Sequence, residues 1–236
     1  MSPRQLTVAF HVEDAPTVAR FWADTLGREM VDDGSGVHLP GDDRQVGLRF
    51  VPGSADGAGP ALLHLHLTSA SDDDQQRQVA AALRRGASHL DVGQRPEEGH
   101  IVLADPGGNA FCVIEPGNRF LAGCGPLGEA ACDGSREVGH FWSAALDWPL
   151  VWDQDEETAI QSPRGGTKVA WGGPPETPRE GRNRQWFELV APADADHRAE
   201  VDRLLALAAT RLGEDADGTV LLADPGGNSF RVRPPR

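Results

Sequence analysis

Apolar positions along the chain follow two alternating spacings, one typical of β-strands and one typical of helices. Residues 6–12 have the pattern of a half-buried strand. The apolar residues after Asp14 then have helical spacing. Asp14 can cap the start of this helix, and Gly27 can end it. Turn residues separate further short apolar runs near 29–32, 36–39 and 46–51. This stretch is therefore predicted to form a βαβββ unit.

The same order of elements repeats three more times. The second unit is predicted as a strand at 62–68, a helix at 72–85 and strands near 88–92, 100–104 and 110–115. The third is predicted as a strand at 127–132, a helix at 135–146 and strands near 149–153, 157–161 and 167–171. The fourth is predicted as a strand at 185–190, a helix at 196–211 and a final hairpin. Four such units predict an α+β fold.

Three sequence blocks recur at nearly half the chain length. Leu-Ala-Asp-Pro-Gly-Gly-Asn occupies 103–109 and again 222–228, and the Phe-Trp pair of the first predicted helix recurs in the third. Residues 63–67 also match residues 185–189. Because the three blocks keep one order and nearly one spacing, the chain is interpreted as a tandem duplication. The predicted division is a first domain at 1–118, a linker at 119–126 and a second domain at 127–236.

The repeated Asp-Pro-Gly-Gly-Asn motif also predicts local structure. Proline fixes φ, glycine permits a positive φ, and asparagine tolerates the left-handed region. Each copy lies between two short apolar runs. A β-hairpin is therefore predicted near the end of each half.

Composition excludes several classes of function. The 236 residues carry a formal net charge of −14 without a basic stripe, which argues against nucleic-acid binding. No apolar run approaches the roughly 18 residues of a membrane span, and the N-terminus lacks a signal-peptide core, so a cytoplasmic protein is predicted. Lys168 is the only lysine and there is no tyrosine, so a Schiff base has one candidate and phenol chemistry has none. The three cysteines form no CxxC motif and are expected to be reduced thiols.

Several motifs together resemble the vicinal oxygen chelate superfamily of glyoxalases, bleomycin-resistance proteins and extradiol dioxygenases. They are the βαβββ unit, Val-Glu-Asp before Phe-Trp-Ala-Asp-Thr-Leu-Gly, the strand Leu-His-Leu-His-Leu, and Ala-Asp-Pro-Gly-Gly-Asn before the last strand. The similarity is greatest to glyoxalase-like domains and covers nearly the whole chain as two tandem domains. It implies that paired units curl into half-open barrels with functional residues on the concave face, and it leaves the activity open.

Strand alternation predicts which side chains face that concave surface. In the first half they include His11, His64, His66 and Cys112, whereas the alternate residues are apolar and would pack on helices. The resemblance places the superfamily's metal ligands at Thr7, His64 and Cys112. Threonine is not a usual metal ligand, and Cys112 stands where the family has glutamate.

This departure leaves several interpretations of the first half open. His11, His64 and His66 could converge on a divalent ion such as Zn, Fe, Ni or Mn. The same histidines could instead line a polar ligand pocket without a metal. Cys112 could be a nucleophile activated by a neighbouring imidazole, or a small packing residue. We expect no resident cofactor, with a divalent metal in the first domain as the alternative.

In the second half the corresponding positions are Leu127, Trp186 and Arg231, none of which is a metal ligand. Glu129 and Glu188 share the predicted concave face with Arg231. A carboxylate pair beside an arginine can act as general acid and base, or it can be a structural ion pair. Trp186 is expected to be a stacking wall for a flat ligand or part of the core.

We therefore expect a protein that binds a small, partly hydrophobic or aromatic molecule in a concave sheet pocket, for sequestration or resistance. The predicted pocket residues are His11, His64, His66, Cys112, Trp186, Glu188 and Arg231. The alternative is a glyoxalase-like lyase, isomerase or dioxygenase. Such an enzyme would depend on a metal through His64 and His66, or would use metal-free acid/base chemistry through Glu129 and Glu188. A monomer or a homodimer is expected.

Overall fold

The chain has the predicted α+β architecture of four βαβββ units. A computed structural model describes residues 5–53, 61–95, 97–173, 183–190 and 196–234. These ranges contain sixteen strands and four helices. The predicted loops at 53–60 and 172–183 lie largely outside the described residues.

Each unit consists of one strand, one helix and three further strands. The first unit contains β1 (Gln5–Val12), α1 (Ala15–Leu26), β2 (Val31–Asp32), β3 (Val37–Leu39) and β4 (Gly47–Pro52). The second contains β5 (Leu63–Leu67), α2 (Asp72–Arg84), β6 (Ser88–His89), β7 (Ile101–Ala104) and β8 (Ala110–Val113). The third contains β9 (Leu127–Cys132), α3 (Arg136–Leu146), β10 (Leu150–Gln154), β11 (Glu157–Gln161) and β12 (Lys168–Trp171). The fourth contains β13 (Gln185–Val190), α4 (His197–Ala206), β14 (Thr210–Glu214), β15 (Val220–Ala223) and β16 (Ser229–Arg233).

The first helix begins and ends where its terminal residues predict. The Asp14 carboxylate accepts a hydrogen bond from the backbone N–H of Thr17 at 3.1 Å, which satisfies a donor of the first turn. Gly27 follows the helix with φ of 65°, the left-handed conformation that glycine adopts at little cost.

The fourth helix is shorter than predicted. The helix expected at 196–211 ends at Ala206, because Ala208 has φ of 78° and cannot continue it. Residues Thr210–Glu214 instead form β14, which pairs with β15 at the edge of a sheet. The fourth unit therefore has the same three final strands as the others.

The strands form two eight-stranded sheets, and each sheet takes one unit from each half of the chain. The first sheet has the order β14-β15-β16-β13-β1-β4-β3-β2, so it joins units one and four. The second sheet has the order β10-β11-β12-β9-β5-β8-β7-β6, so it joins units two and three. Consecutive units of one half therefore lie in different sheets, because β1 pairs with β13 and β5 pairs with β9.

The repeated Asp-Pro-Gly-Gly-Asn motif links the two units of each half on the helix side. It forms the predicted hairpin turn in both halves. In the first half the indole N–H of Trp22 donates to the Asp105 carboxylate at 2.8 Å, and in the second half Trp142 donates to Asp224 at 3.1 Å. Both tryptophans are buried. Consecutive units are thus joined by helix-to-turn hydrogen bonds while their strands join different sheets.

The two sheets are fixed to each other where β5 begins. The side-chain amide of Gln185 accepts from the backbone N–H of Leu63 at 3.0 Å and donates to the Leu63 carbonyl at 2.7 Å. Each sheet packs one apolar face on its helices, which leaves the opposite face to form a site. None of the helices in the described ranges is long and apolar enough to cross a membrane.

Candidate functional site

In each sheet, we call the face that carries no helix the cleft face. On the second sheet, strand register arranges its side chains in rows across β12, β9 and β5. The inner row contains Lys168, Glu129 and His66, and it continues to Cys112 on β8. The middle row contains Ala159, Ala170, Ala131 and His64. Continuing the register by one residue beyond the paired ends gives an outer row of Glu157, Gly172 and Asp133.

The inner row forms a connected polar cluster. Nδ1 of His66 lies 2.6 Å from Oε2 of Glu129, and the Cys112 sulfur lies within 4.8 Å of a ring nitrogen of His66. The rings of His64 and His66 are 4.7 Å apart between centroids. Glu129 comes from the second half of the chain, so the cluster exists only because β9 pairs with β5.

The two histidines have opposite proton affinities. Burial and the neighbouring His66 lower the pKa of His64 to about 4, although Glu129 opposes this. Burial also lowers the pKa of His66, but its hydrogen bonds to Cys112 and Glu129 outweigh burial and raise that pKa to about 9. At neutral pH His64 is therefore neutral, and His66 is an imidazolium beside the Glu129 carboxylate.

His64, His66 and Cys112 form a set of side chains that could hold a metal ion. Their ligand atoms all lie within 4.8 Å of one another. Because Nδ1 of His66 contacts Glu129, its Nε2 is the nitrogen that would face an ion, which is the common arrangement for a ligand histidine supported by a carboxylate. His64 is already neutral, as a ligand must be, whereas His66 would release its Nε2 proton when an ion binds. The donor set therefore fits a divalent ion.

A cavity of about 730 Å³ opens over the middle and outer rows. Ala131, Ala159 and Ala170 form its floor, and Phe120 and Trp152 form an aromatic wall. The two aromatic rings are perpendicular, with centroids 6.3 Å apart. The cavity has the size and the mainly apolar lining of a small-molecule site. We call this cavity the second-sheet cleft.

The cavity also has polar contacts. Glu129 lines its inner end beside His64 of the middle row, whereas Glu157 and Asp133 line its outer end. The small alanine side chains of the middle row leave room for the cavity, and titratable groups lie at both ends of the cavity. A ligand in the cleft would therefore contact an apolar floor in the middle and polar groups at its two ends.

The cleft face of the first sheet is filled by ion pairs. Arg49 donates two hydrogen bonds to the Asp33 carboxylate, at 2.7 and 2.8 Å, and its Nε lies 3.7 Å from Glu188. Arg233 lies 3.4 Å from the same Glu188 carboxylate and 3.7 Å from Asp33. The side chains of Arg49, Asp33 and Glu188 are only 4–6% exposed. Buried ion pairs therefore cover this part of the first sheet's cleft face.

The structure divides the predicted site residues between the two sheets. His64, His66 and Cys112 come together as predicted for a shared face, but His11 does not join them. The imidazole of His11 lies in the first sheet, 4.4 Å from the Trp186 ring, because β1 pairs with β13 and β4 rather than with β5. His11 lines a separate cavity of about 350 Å³ near the start of α1.

Glu129 and Glu188 do not form the predicted acid/base pair, because they lie in different sheets. Glu188 accepts from the Trp186 indole N–H at 3.0 Å and belongs to the ion-pair network. Trp186 is buried, and the Arg231 guanidinium lies over its ring at 4.9 Å from the centroid. Trp186 is therefore packed within the first sheet rather than standing open as a stacking wall.

Sequence reasoning missed the aromatic wall, and it missed Asp33 and Arg49 of the ion-pair network. Phe120 was inside the predicted linker, and Trp152 is on the edge strand β10, so neither has neighbours in sequence that mark a pocket. Asp33 lies in a predicted turn. Arg49 carried the one available signal, since an arginine inside the apolar run 46–51 must find a buried partner.

Comparisons with known proteins agree with this architecture. The family model of the glyoxalase-like domain matches residues 7–114 and 129–233. No curated protein sequence matches this chain. The structure of glyoxalase I from Zea mays is similar over 97% of this chain and 92% of its own, with a TM-score of 0.67 and 12% identity. A proposed dioxygenase from Bacillus subtilis subsp. subtilis str. 168 is similar over 97% of this chain and 84% of its own, with a TM-score of 0.63 and 12% identity. At these identities the similarities show the fold.

Proposed function

The chain belongs to the family of glyoxalase-like domains, and within that fold we propose that it binds a small, partly aromatic molecule in the second-sheet cleft. The observation that carries this proposal is the cavity of about 730 Å³ between an alanine floor and the Phe120–Trp152 wall. Flat ligand surfaces gain most from aromatic walls and small floor residues, because both allow close contact over a large area. Sequestration or resistance would require only that the molecule binds, without a catalytic step.

A cavity-filling variant tests this function. Ala170→Leu places a larger side chain in the middle row, at the centre of the floor. Ala80→Leu makes the same chemical change on an exposed face of α2 and is the matched control. Wild type and both variants are screened against one library of aromatic small molecules by thermal shift, because a ligand that binds only the native state raises its melting temperature.

The proposal predicts compounds that stabilise wild type and Ala80→Leu but not Ala170→Leu. Compounds that stabilise all three proteins equally would place the binding site elsewhere. A library without a single stabilising compound, at concentrations up to the solubility limit, would contradict a binding function for this cleft.

A metal-dependent enzyme is the second candidate, and the cluster of His64, His66 and Cys112 favours it. A bound divalent ion would supply Lewis-acid chemistry at the inner end of the cleft. The residues of this chain would hold the ion through two imidazole nitrogens and a thiolate, with Glu129 orienting His66. A thiolate donor favours Zn over Mn, because sulfur is a soft ligand.

Metal content and cobalt spectroscopy test this candidate. The protein is loaded with Zn²⁺ or Co²⁺, separated from free metal and analysed by plasma mass spectrometry. Stoichiometric metal with a cobalt–thiolate charge-transfer band, both lost in Cys112→Ser, is the result that supports a metal centre. Cys132→Ser is the matched control, since Cys132 lies outside the cluster. Protein that takes up no metal under these conditions would exclude a site at these residues.

A further inference from the structure

The aromatic wall of the second-sheet cleft comes from two different kinds of segment. Trp152 lies on β10, and the pairing of β10 with β11 fixes its backbone in the sheet. Phe120 lies in the connection between β8 and β9, outside the helices and strands of the described residues. The position of the Phe120 ring therefore depends on contacts other than sheet pairing.

Lys168 contacts Phe120 in two ways. Its ammonium donates a hydrogen bond to the Phe120 carbonyl and lies over the Phe120 ring, 4.1 Å from the ring centroid. Among the described residues, Lys168 is the only donor to this carbonyl. Hydrogen bonds from an ammonium are among the stronger ones, and a cation over an aromatic face adds an electrostatic attraction. The first contact fixes the backbone at Phe120, and the second fixes the orientation of its ring.

Lys168 contacts the wall rather than the carboxylate beside it. Strand register places Lys168 opposite Glu129 in the inner row. The Glu129 carboxylate contacts His66 instead, at 2.6 Å, and the described residues contain no ion pair between it and the lysine. The ammonium of the only lysine in the chain is therefore used to hold the wall.

The rest of the connection is held by other residues. The side-chain amide of Gln45 donates to the Cys124 carbonyl at 2.7 Å. The Thr68 hydroxyl donates to the Gly125 carbonyl at 2.8 Å. Both contacts are made at the end next to β9, beyond Phe120. Loss of the lysine contacts is therefore expected to release the Phe120 ring without releasing the whole connection.

We propose that Lys168 is a positioning residue that makes the second-sheet cleft selective for flat aromatic molecules over thicker saturated ones. Its two contacts keep the Phe120 ring at a fixed distance from the alanine floor. A fixed spacing favours a flat ring, because dispersion attraction falls steeply when a gap opens and a thicker ligand would have to displace the wall. This inference rests on the proposed binding function and adds how the cleft selects its ligand.

Two neutral probes with one carbon skeleton test the inference. Naphthylethanol is flat, whereas decahydronaphthylethanol has the same skeleton and hydroxyl group but two saturated rings. Their dissociation constants are measured by isothermal titration calorimetry, and the ratio of the two constants is the preference for the flat probe. We expect wild type to bind naphthylethanol about three- to tenfold more tightly than the saturated probe.

Lys168→Met removes the ammonium and keeps an unbranched apolar side chain, so the preference is expected to fall severalfold. Lys168→Arg keeps a cation that can donate to the carbonyl and stack on the ring, and it is expected to retain most of the preference. Arg119→Met removes the same charge from the exposed neighbour of Phe120 and is the matched control, with the preference unchanged. Lys168→Gln, which keeps a polar side chain, provides the same test if Lys168→Met does not fold.

A double-mutant cycle tests whether Lys168 acts through Phe120. Phe120→Leu removes the ring of the wall and is expected to lower the preference by itself. Lys168→Met is then expected to have little further effect in the Phe120→Leu background, because the ring that the lysine holds is gone. A purely structural role of Lys168 would change the melting temperature and the affinity for both probes, but not the ratio of the two affinities.

The outcomes separate this inference from the function on which it rests. The inference is overturned if wild type binds both probes equally, if Lys168→Met and Arg119→Met change the preference equally, or if Lys168→Met lowers it by the same factor with and without Phe120. The proposed binding function would still stand in each of these cases. If neither probe binds wild-type protein, the binding function itself is contradicted, and the inference with it.

Discussion

The two sheets share one backbone plan but differ in what fills the cleft face. In the first sheet, Glu188 on β13 faces Thr7 on β1, and Arg49 reaches the same carboxylate from β4. In the second sheet, the equivalent strands bring His66 opposite Glu129. Ion pairs lie on the cleft face of the first sheet, whereas three small alanines leave a cavity over the cleft face of the second sheet.

This contrast shows how duplication can separate two roles. Both halves keep the Trp–Asp hydrogen bond that joins a helix to the repeated turn, so that contact serves the fold in each half. The cleft faces have no such requirement in common. Under the proposed function the first sheet has a structural role and the second binds the ligand, and three measurements of stability and titration test this contrast.

The largest effect is expected from breaking the ion-pair network of the first sheet. Arg49→Ala would remove both guanidinium hydrogen bonds to the buried Asp33 carboxylate and one of the two arginines beside Glu188. We expect the free energy of unfolding, measured by urea denaturation, to fall by about 3–5 kcal/mol. Arg136→Ala removes the exposed pair with Asp153 and is expected to have little measurable effect. Equal losses in the two variants would mean that the first sheet is not held by its buried charges.

A smaller effect is expected from adding one methyl group to each face. A Cβ at Gly47 in the first sheet would lie 2.7 Å from Oγ1 of Thr7 and 3.1 Å from Nε2 of His38, whereas a Cβ at Gly172 would meet no atom of the described residues within 4 Å. Gly47→Ala is expected to lower the free energy of unfolding by about 1–3 kcal/mol. Gly172→Ala is expected to change it by less than about 0.5 kcal/mol. A reversed order in urea denaturation would contradict the description of one filled face and one open face.

A further effect concerns the pH dependence of stability in the metal-free protein. The pKa of His66 is raised from 6.5 to about 9, so the folded chain holds a proton there that the unfolded chain releases, and this contribution is lost as pH rises through about 9. The pKa of His64 is lowered from 6.5 to about 4, so the unfolded chain binds the extra proton and stability falls as pH drops from 6.5 towards 4.

Urea denaturation across this pH range, with a chelator present, measures both contributions. Relative to wild type, His66→Gln is expected to lose the decline in stability between pH 6.5 and 9. His64→Gln is expected to lose the decline between pH 6.5 and 4. Parallel stability curves for wild type and both variants would show that these imidazoles have the same proton affinity in the folded and unfolded chains.

Local sequence patterns were enough to predict the βαβββ units but not which units pair to form each sheet. Strand alternation correctly put His64 and His66 on one face, because that parity depends only on neighbouring residues. The pairing of β1 with β13 depends on contacts between residues about 180 positions apart, which no local pattern determines. His11 and Glu188 were therefore grouped with residues of the wrong sheet.

The sequence predicted which residue types would form the candidate site, but it did not predict every residue that joins them. The resemblance indicated His64 and Cys112, but Glu129 joins them only through the pairing of β9 with β5. Phe120 and Trp152 have no sequence signature, because an aromatic wall is defined by distance across the fold. The ion-pair network was anticipated for Glu188 as the structural alternative, without its partner Arg49.

The central claim is that the second-sheet cleft holds the ligand and the first sheet does not. The six tryptophans report on this directly, because Trp152 lines the cleft and Trp186 is packed in the first sheet. Their indole N–H signals are followed by NMR during titration with naphthylethanol, after assignment with Trp152→Phe and Trp186→Phe. A shift of the Trp152 signal, with the Trp186 signal unchanged, is the predicted result. A shift at Trp186 without one at Trp152 would contradict the account.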